Sequence, residues 1–371
     1  TWLNLTSLLG LLVIKSFFIF FQEMARLNDQ VSQYRRATAL QSILSMIFTW
    51  LLLEYSPSVD SATFGLTLSY FVSLPLVWFL PSRVSFNQAK PTISTLVSYG
   101  LPLMVSGLIG VAGSRIDRFF IADQLGYTDA GIYSALSNML LGLMALVFMV
   151  VALPLYPDLA RKADNKDQLF NAHQRYQVMM LAISLPALIG LCFIAEPLIR
   201  LFLGESYLSA GIPLFWILAT SAFIFNLRMH YIDHGLQFAS RTNILPFILC
   251  VSLSLNVTML FVLLPSLGLY GAAYTSLICN VIALVMSFIF AKKAGHKYLI
   301  NSELIKILVA SGGMALSLYF IRQTPLWAIS DILQIAISIA VGIPMFALSS
   351  LAMNLMGSRK VVKNKIRKVN A

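Results

Sequence analysis

The sequence predicts an all-α, polytopic membrane protein, and three observations predict it. Apolar residues make up 58% of the 371 positions and charged residues only 11%, whereas a soluble domain carries about 25% charged residues to solvate its surface. The apolar residues are gathered into runs of bilayer-spanning length, roughly 17–25 residues. Basic residues fall almost entirely in alternate loops between those runs.

Eleven spans are expected, at 3–21, 37–53, 62–80, 96–114, 130–153, 177–195, 210–227, 243–264, 269–290, 305–321 and 332–355. Trp50, Tyr55, Trp78, Tyr99 and Trp327 lie near span ends, where amphipathic rings anchor at the interface. Of the 26 Lys and Arg, 21 belong to one set of loops and the C-terminal tail; the other set holds only Arg115, Arg118, Arg200 and Arg322, and Lys15 lies within the first span. By the positive-inside rule the basic loops and the tail are cytoplasmic and Thr1 is outside. The tail reads as an orientation signal and headgroup contact rather than a nucleic-acid site.

An internal repeat orders the spans. "RATALQSILSM" (36–46) aligns with "RTNILPFILCV" (241–251) at a shift of 205, and the following spans align at 206, with Gly65 over Gly271. That spacing suggests two parallel halves of a transporter. The expected organisation is 1–80, the last three helices of an N-terminal lobe; 81–95, a cytoplasmic linker with two prolines; 96–291, a complete six-helix lobe; 292–356, two additional helices; and 357–371, a basic tail. About three preceding spans, roughly 100–115 residues by the repeat shift, are then missing from the first lobe. The longest polar loop, 156–176, reads as an amphipathic connector, and prolines and glycines within spans indicate bent, closely packed helices.

Ionisable groups inside spans are costly and therefore candidates for function. From Ser98, the helical rise puts Arg115 about 25 Å across a hydrocarbon core of about 30 Å. On a continuous helix Arg115 and Arg118 share a face and Asp117 points elsewhere. A doubly cationic face suits an anion, and guanidinium forks suit phosphate oxygens. The competing reading is that both arginines snorkel to headgroups or pair with Asp117 and Asp123. Lys15, about 9 Å from the inner end of its span, either snorkels inward or lines a central cavity. In "HYIDH" (230–234), His230 and His234 have zinc-protease spacing, but Tyr231 stands where the general-base Glu would be, so a polar helix-end cluster is expected. His173 and His296 read as loop residues. Cys192, Cys250 and Cys279 lie in apolar runs as packing residues. No phosphate-binding loop, nucleophile elbow or paired CxxC motif occurs in the sequence.

The stretch 98–161 resembles the opening of the second lobe in polysaccharide-biosynthesis flippases of the multidrug/oligosaccharidyl-lipid/polysaccharide exporter superfamily. The matching elements are Y-G-L-P (99–102), D-R-F (117–119), L-G (125–126), G-I-Y (131–133) and the ending Pro157 to Arg161. "EPLIRLFLGESYLSA" (196–210) is similar to the family's short extracellular link. The resemblance implies a two-lobe, MATE-like exporter fold in the bacterial inner membrane and no enzymatic activity. It implies translocation of undecaprenyl-diphosphate-linked oligosaccharide, an O-antigen or exopolysaccharide repeat unit, by alternating access. Arg115 and Arg118 would contact diphosphate or acidic sugar, Asp117 would orient them, and Lys15 is a further cavity candidate. The expected partners are lipid-linked oligosaccharide and the bilayer, with a polysaccharide polymerase and a chain-length regulator as candidate protein partners; no cofactor is expected beyond H⁺ or Na⁺ coupling. Two other readings are a multidrug/cation antiporter of the same fold, which favours acidic residues in spans, and a membrane polymerase or ligase, which needs a large outer loop. Here the bordering charges read as chiefly basic and the longest outer loop, 115–129, is short.

Overall fold

A computed structural model describes residues 2–27, 30–77, 107–113, 115–163, 165–239, 241–298, 302–324 and 330–357, with isolated positions between 97 and 105. The expected linker 81–95, nearly all of the basic tail, Trp78, Tyr99 and Trp327 lie outside the described residues. The chain divides into two compact units, Thr1–Thr95 and Leu96–Ala371.

The first unit contains α1 (Trp2–Leu27), α2 (Val31–Tyr55) and α3 (Val59–Val77). Ser58 accepts the backbone N–H of Ser61 at 3.1 Å, which satisfies an orphan donor at the start of α3. Gly65 then lets α3 press onto α2, since a Cβ there would lie 2.8 Å from the backbone of Thr49. Polar pairs join the helices: Gln22 donates to Thr38 at 2.6 Å, Gln33 to the Leu76 carbonyl at 2.6 Å, and Ser7 to Asp60 at 3.4 Å. In lipid the hydrophobic effect does not draw helices together, so close packing and such bonds do.

In the second unit, residues 107–113 are helical. There follow α4 (Ile116–Gln124), α5 (Tyr127–Arg161), α6 (Lys166–Phe193), α7 (Ala195–Phe202), a 3₁₀ turn (Glu205–Ala210), α8 (Ile212–Leu227), a π turn (Arg228–Ile232) and α9 (His234–Phe238). The chain continues through α10 (Ile244–Leu267), α11 (Leu269–Lys293), α12 (Ser302–Arg322) and α13 (Asp331–Ala352). Tyr133, Leu136, Leu140, Met144, Phe148 and Val151 form a buried stripe along α5 that packs with Leu214, Phe215, Leu218 and Ala222 of α8. Their spacing of three and four residues is the helical repeat of one face. Gly268, at φ 56°, turns α10 directly into α11. Gly271 allows the two helices to touch, because a Cβ there would sit 2.2 Å from the Leu263 carbonyl oxygen.

Among the described residues nine helices are long and apolar enough to cross a membrane. Two of the eleven expected spans, 62–80 and 96–114, run into residues that are not described. The 156–176 connector is overturned: α5 extends to Arg161, α6 starts at Lys166, and the Asn165 side chain accepts the Gln168 N–H at 3.1 Å to cap it. Polar residues there continue the helices beyond the apolar run. Arg228, counted as a loop residue, is buried instead and faces Asp233 with Nε 3.8 Å from Oδ2.

Glu196 of α7 pairs with Arg200 of the same helix and with Arg322 at the end of α12, and Arg200 also reaches Asp331 at the start of α13. These charges fasten the α12–α13 hairpin to the rest of the unit. Each side chain is about a third exposed, so one pair is worth at most about 1 kcal/mol, but Glu196 serves two. Glu196→Lys, which sets three cations together, is expected to lower the melting temperature of purified protein by a few degrees, whereas Glu196→Gln should lower it less.

Candidate functional site

The first membrane segment of the second unit is not one continuous helix. After helical residues 107–113, Arg115 takes φ −127° and ψ −18° and becomes the N-cap of α4, without a side-chain cap. Its N–H bonds the Ala112 carbonyl at 3.1 Å and its own carbonyl receives the Arg118 N–H at 3.2 Å. Breaks of this kind in transporters put the positive end of a short helix at membrane depth. The expectation of an unbroken helical face through Arg115 and Arg118 is therefore corrected.

Arg115 is exposed, and among the described residues its guanidinium has no hydrogen bond or ion pair. Arg118 is half-buried and donates from Nη2 to the Asn138 Oδ1 of α5 at 2.9 Å. Asp117 is buried, 6% exposed. Its carboxylate accepts the Arg118 backbone N–H at 2.9 Å and lies near the Tyr133 hydroxyl, which is 3.1 Å from Ser276 Oγ of α11. Asp117 thus sets the start of α4 against α5 and α11. Its hydrogen bond to Arg118 goes to the backbone N–H, and among the described residues it makes no ion pair with the guanidinium, which it reaches only through space.

Asn138 is a residue that sequence reasoning missed. It lies on α5 in line with Gly131, Ala135 and Gly142, spaced four, three and four apart and so on one face. Around Gly131 and Gly142 nothing lies within 4 Å of where a Cβ would stand. The small residues leave open room beside the Arg118–Asn138 pair. The signal available was the G-I-Y-S-A-L-S-N-M-L-L-G spacing.

Lys15 is exposed on α1, in the first unit. Arg200 and Arg322 are engaged by acids, so Arg115 and Arg118 are the members of the sparse basic set that make no such pair among the described residues. The expectation that charges near spans are chiefly basic needs correction for the interior: Asp117 and Asp233 are buried along with Arg228. In "HYIDH" the two imidazoles go to different neighbours, His230 stacking 6.0 Å from Phe148 and His234 lying 4.8 Å from Tyr156.

The family described as polysaccharide biosynthesis protein matches residues 2–211, which include Lys15, Arg115, Asp117, Arg118, Tyr133 and Asn138. The capsular polysaccharide biosynthesis protein CapF of Staphylococcus aureus is 24% identical over 275 residues, 72% of this chain and 68% of that protein. A probable lipid II flippase MurJ of Rhizobium meliloti is 24% identical over 80% of this chain and 59% of its own length. A putative O-antigen transporter of Shigella flexneri is 22% identical over 64% of this chain and 57% of its own length; the chain thus spans less than two thirds of the latter two relatives. Among solved structures, the lipid II flippase MurJ in an inward closed conformation superposes with TM-score 0.68 at 16% identity, over 95% of this chain and 74% of that one. That likeness concerns the fold.

Proposed function

Because the chain belongs to the polysaccharide biosynthesis protein family, we propose that it is a flippase that moves polyprenyl-diphosphate-linked oligosaccharide from the inner to the outer leaflet of the bacterial inner membrane, with its C-terminus cytoplasmic. The observation that carries this reading is the helix break at Arg115, beside which, among the described residues, one guanidinium has no hydrogen-bond partner and another is hydrogen-bonded to Asn138. Diphosphate oxygens would take the two forks bidentately. The dipole at the start of α4 adds to the same field, and the open face at Gly131 and Gly142 would give room for sugar. Asp117, beside Tyr133, holds the turn on which both arginines sit.

In this reading the lobes rock about the bound headgroup while the isoprenoid chain stays in lipid, so neither charge nor sugar meets hydrocarbon. Coupling to H⁺ or Na⁺ and association with a polymerase and a chain-length regulator are parts of the proposal. The relatives' names describe flippases and transporters, and the reading is of transport rather than covalent chemistry.

The test uses the intact gene product in proteoliposomes carrying a polyprenyl-diphosphate oligosaccharide, with lectin added outside. The protein should accelerate lectin access to internally placed sugar lipid well above that of empty vesicles. Equal rates with and without protein, together with extrusion of a cationic dye, would replace this reading with that of an antiporter.

A further inference from the structure

All four histidines of the chain, His173, His230, His234 and His296, gather at one end of the second unit, outside the site above. They surround the π turn Arg228–Ile232, which interrupts one apolar segment, Ile212–Phe238. Asp233 N–H reaches back five residues to the Arg228 carbonyl at 2.8 Å, and Leu236 N–H turns to the Asp233 carbonyl at 3.1 Å. The Ile232 carbonyl thereby loses its ordinary helical donor. It receives instead the Tyr298 hydroxyl at 2.7 Å, while the His230 carbonyl receives the Tyr176 hydroxyl at 2.8 Å. π turns cluster at functional sites, and this one is held from outside its own helix.

The holder is the short segment 294–298 that follows α11. Gly295, at φ 89°, closes α11: its N–H bonds the Lys292 carbonyl and the His296 N–H bonds the Ala291 carbonyl, both at 3.0 Å. This Schellman ending fixes the direction in which His296 leaves the helix. His296 Nε2 then lies 3.0 Å from His173 Nδ1 of α6. Gly235 admits the segment, because a Cβ there would stand 2.2 Å from the Tyr298 hydroxyl.

We propose that the His173–His296 pair is a proton-uptake site that works as a latch: neutral, it holds segment 294–298 on α6 and the π turn, and on taking a proton from water it lets go. A neutral pair needs one ring N–H and one bare ring nitrogen. The groups facing it are Tyr176 from α6, Tyr231 and His234 from the π turn and α9, and Tyr298 from the segment itself. His230 and Tyr156 border the cluster through His234. The acid on this stretch, Asp233, is committed to Arg228. With no ion pair between a carboxylate and either imidazole among the described residues, a charge on the pair is poorly held, and burial keeps the half-buried His296 below its usual pKa. The latched form therefore binds fewer protons than the released form, so acidification favours release. The proton goes to the ring nitrogen that accepts in the pair, so both facing nitrogens then carry N–H, the hydrogen bond is lost and no covalent bond breaks. The consequence for transport, freedom of the π turn to bend during lobe rocking, rests on the reading above; the latch itself does not.

Hydrogen exchange read by mass spectrometry on full-length protein in nanodiscs, without substrate, tests it. After correction for intrinsic rates, exchange across 294–298 should rise as pH falls from about 7.5 to 5.5, by up to about tenfold per pH unit once below the ordinary imidazole pKa of the released form, for one linked proton. His296→Gln should abolish that pH response and His230→Gln should keep it. A flat profile in the parent, or an unchanged response in His296→Gln, would overturn the proposal. Should His296→Gln misfold, Tyr298→Phe serves: it removes the donor to Ile232 but leaves both imidazoles, so exchange rises at every pH and the response persists; its disappearance would count against the latch. Because no transport is measured, failure of the latch and failure of the flippase reading are separately visible.

Discussion

Replacing Arg115 and Arg118 together by alanine is expected to abolish surface polysaccharide in cells that depend on this gene, at normal protein level. Hydrogen bonds to a charged group are worth about 1.5–3 kcal/mol each, so removing two headgroup contacts should cut flux about a hundredfold or more. The folded protein should tolerate the change. The Arg115 guanidinium is exposed with no bond among the described residues, and Arg118 gives up one bond to Asn138, a stability cost of at most about 1.5–3 kcal/mol. Arg115→Lys with Arg118→Lys keeps the charge and discards the planar fork, and should retain an intermediate flux. Membrane level by immunoblot and surface polymer by extraction are the two measurements. Full polymer from the double alanine variant would remove the arginines from any role in translocation.

The second large effect concerns folding. Gly271→Leu is expected to yield little monodisperse protein, because even a Cβ would stand 2.2 Å from the Leu263 carbonyl oxygen and 2.6 Å from its carbon. Backbone cannot swing aside as a side chain can, so α10 and α11 must separate. Overpacking costs about 1–3 kcal/mol in a deformable core, and a backbone clash at a helix–helix contact belongs at or beyond the top of that range. Gly190→Ala, with nothing within 4 Å, should change the melting temperature by no more than about 2 °C. Gly65 faces the same restriction against Thr49, so Gly65→Leu should damage the first unit in the same way. Size-exclusion profiles and thermal melts of the three variants decide it. A well-behaved Gly271→Leu protein would show that the helix pair can open without loss.

Much of the fold was legible because a bilayer imposes simple rules. Span length follows from hydrocarbon thickness and polarity marks where a helix leaves it, and the structure agrees for α1, α2 and most of the second unit. Polar helix ends were less legible: α5 and α6 run on past their apolar cores, closing the 156–176 loop to a short turn capped by Asn165. Of the candidate site, residue types and neighbourhood could be read, but not the partners. Arg118 meets Asn138 twenty positions away, and Asp117 meets Tyr133 and, through it, Ser276.

The sequence by itself determined that this chain is an all-helical membrane protein, where most helices run, and that Arg115 and Arg118 stand out from an otherwise one-sided distribution of basic residues. Only the tertiary structure decided that the helix breaks at Arg115, that Asp117 turns inward, and that His173 and His296, set aside as loop residues, lie 3.0 Å apart. The physical reason is the solvent. In water a helix's buried face is marked by contrast with a polar face, but in lipid both packed and lipid-facing sides are apolar. A membrane sequence therefore states that a helix crosses, while which side chains meet is settled by packing between segments far apart in the chain.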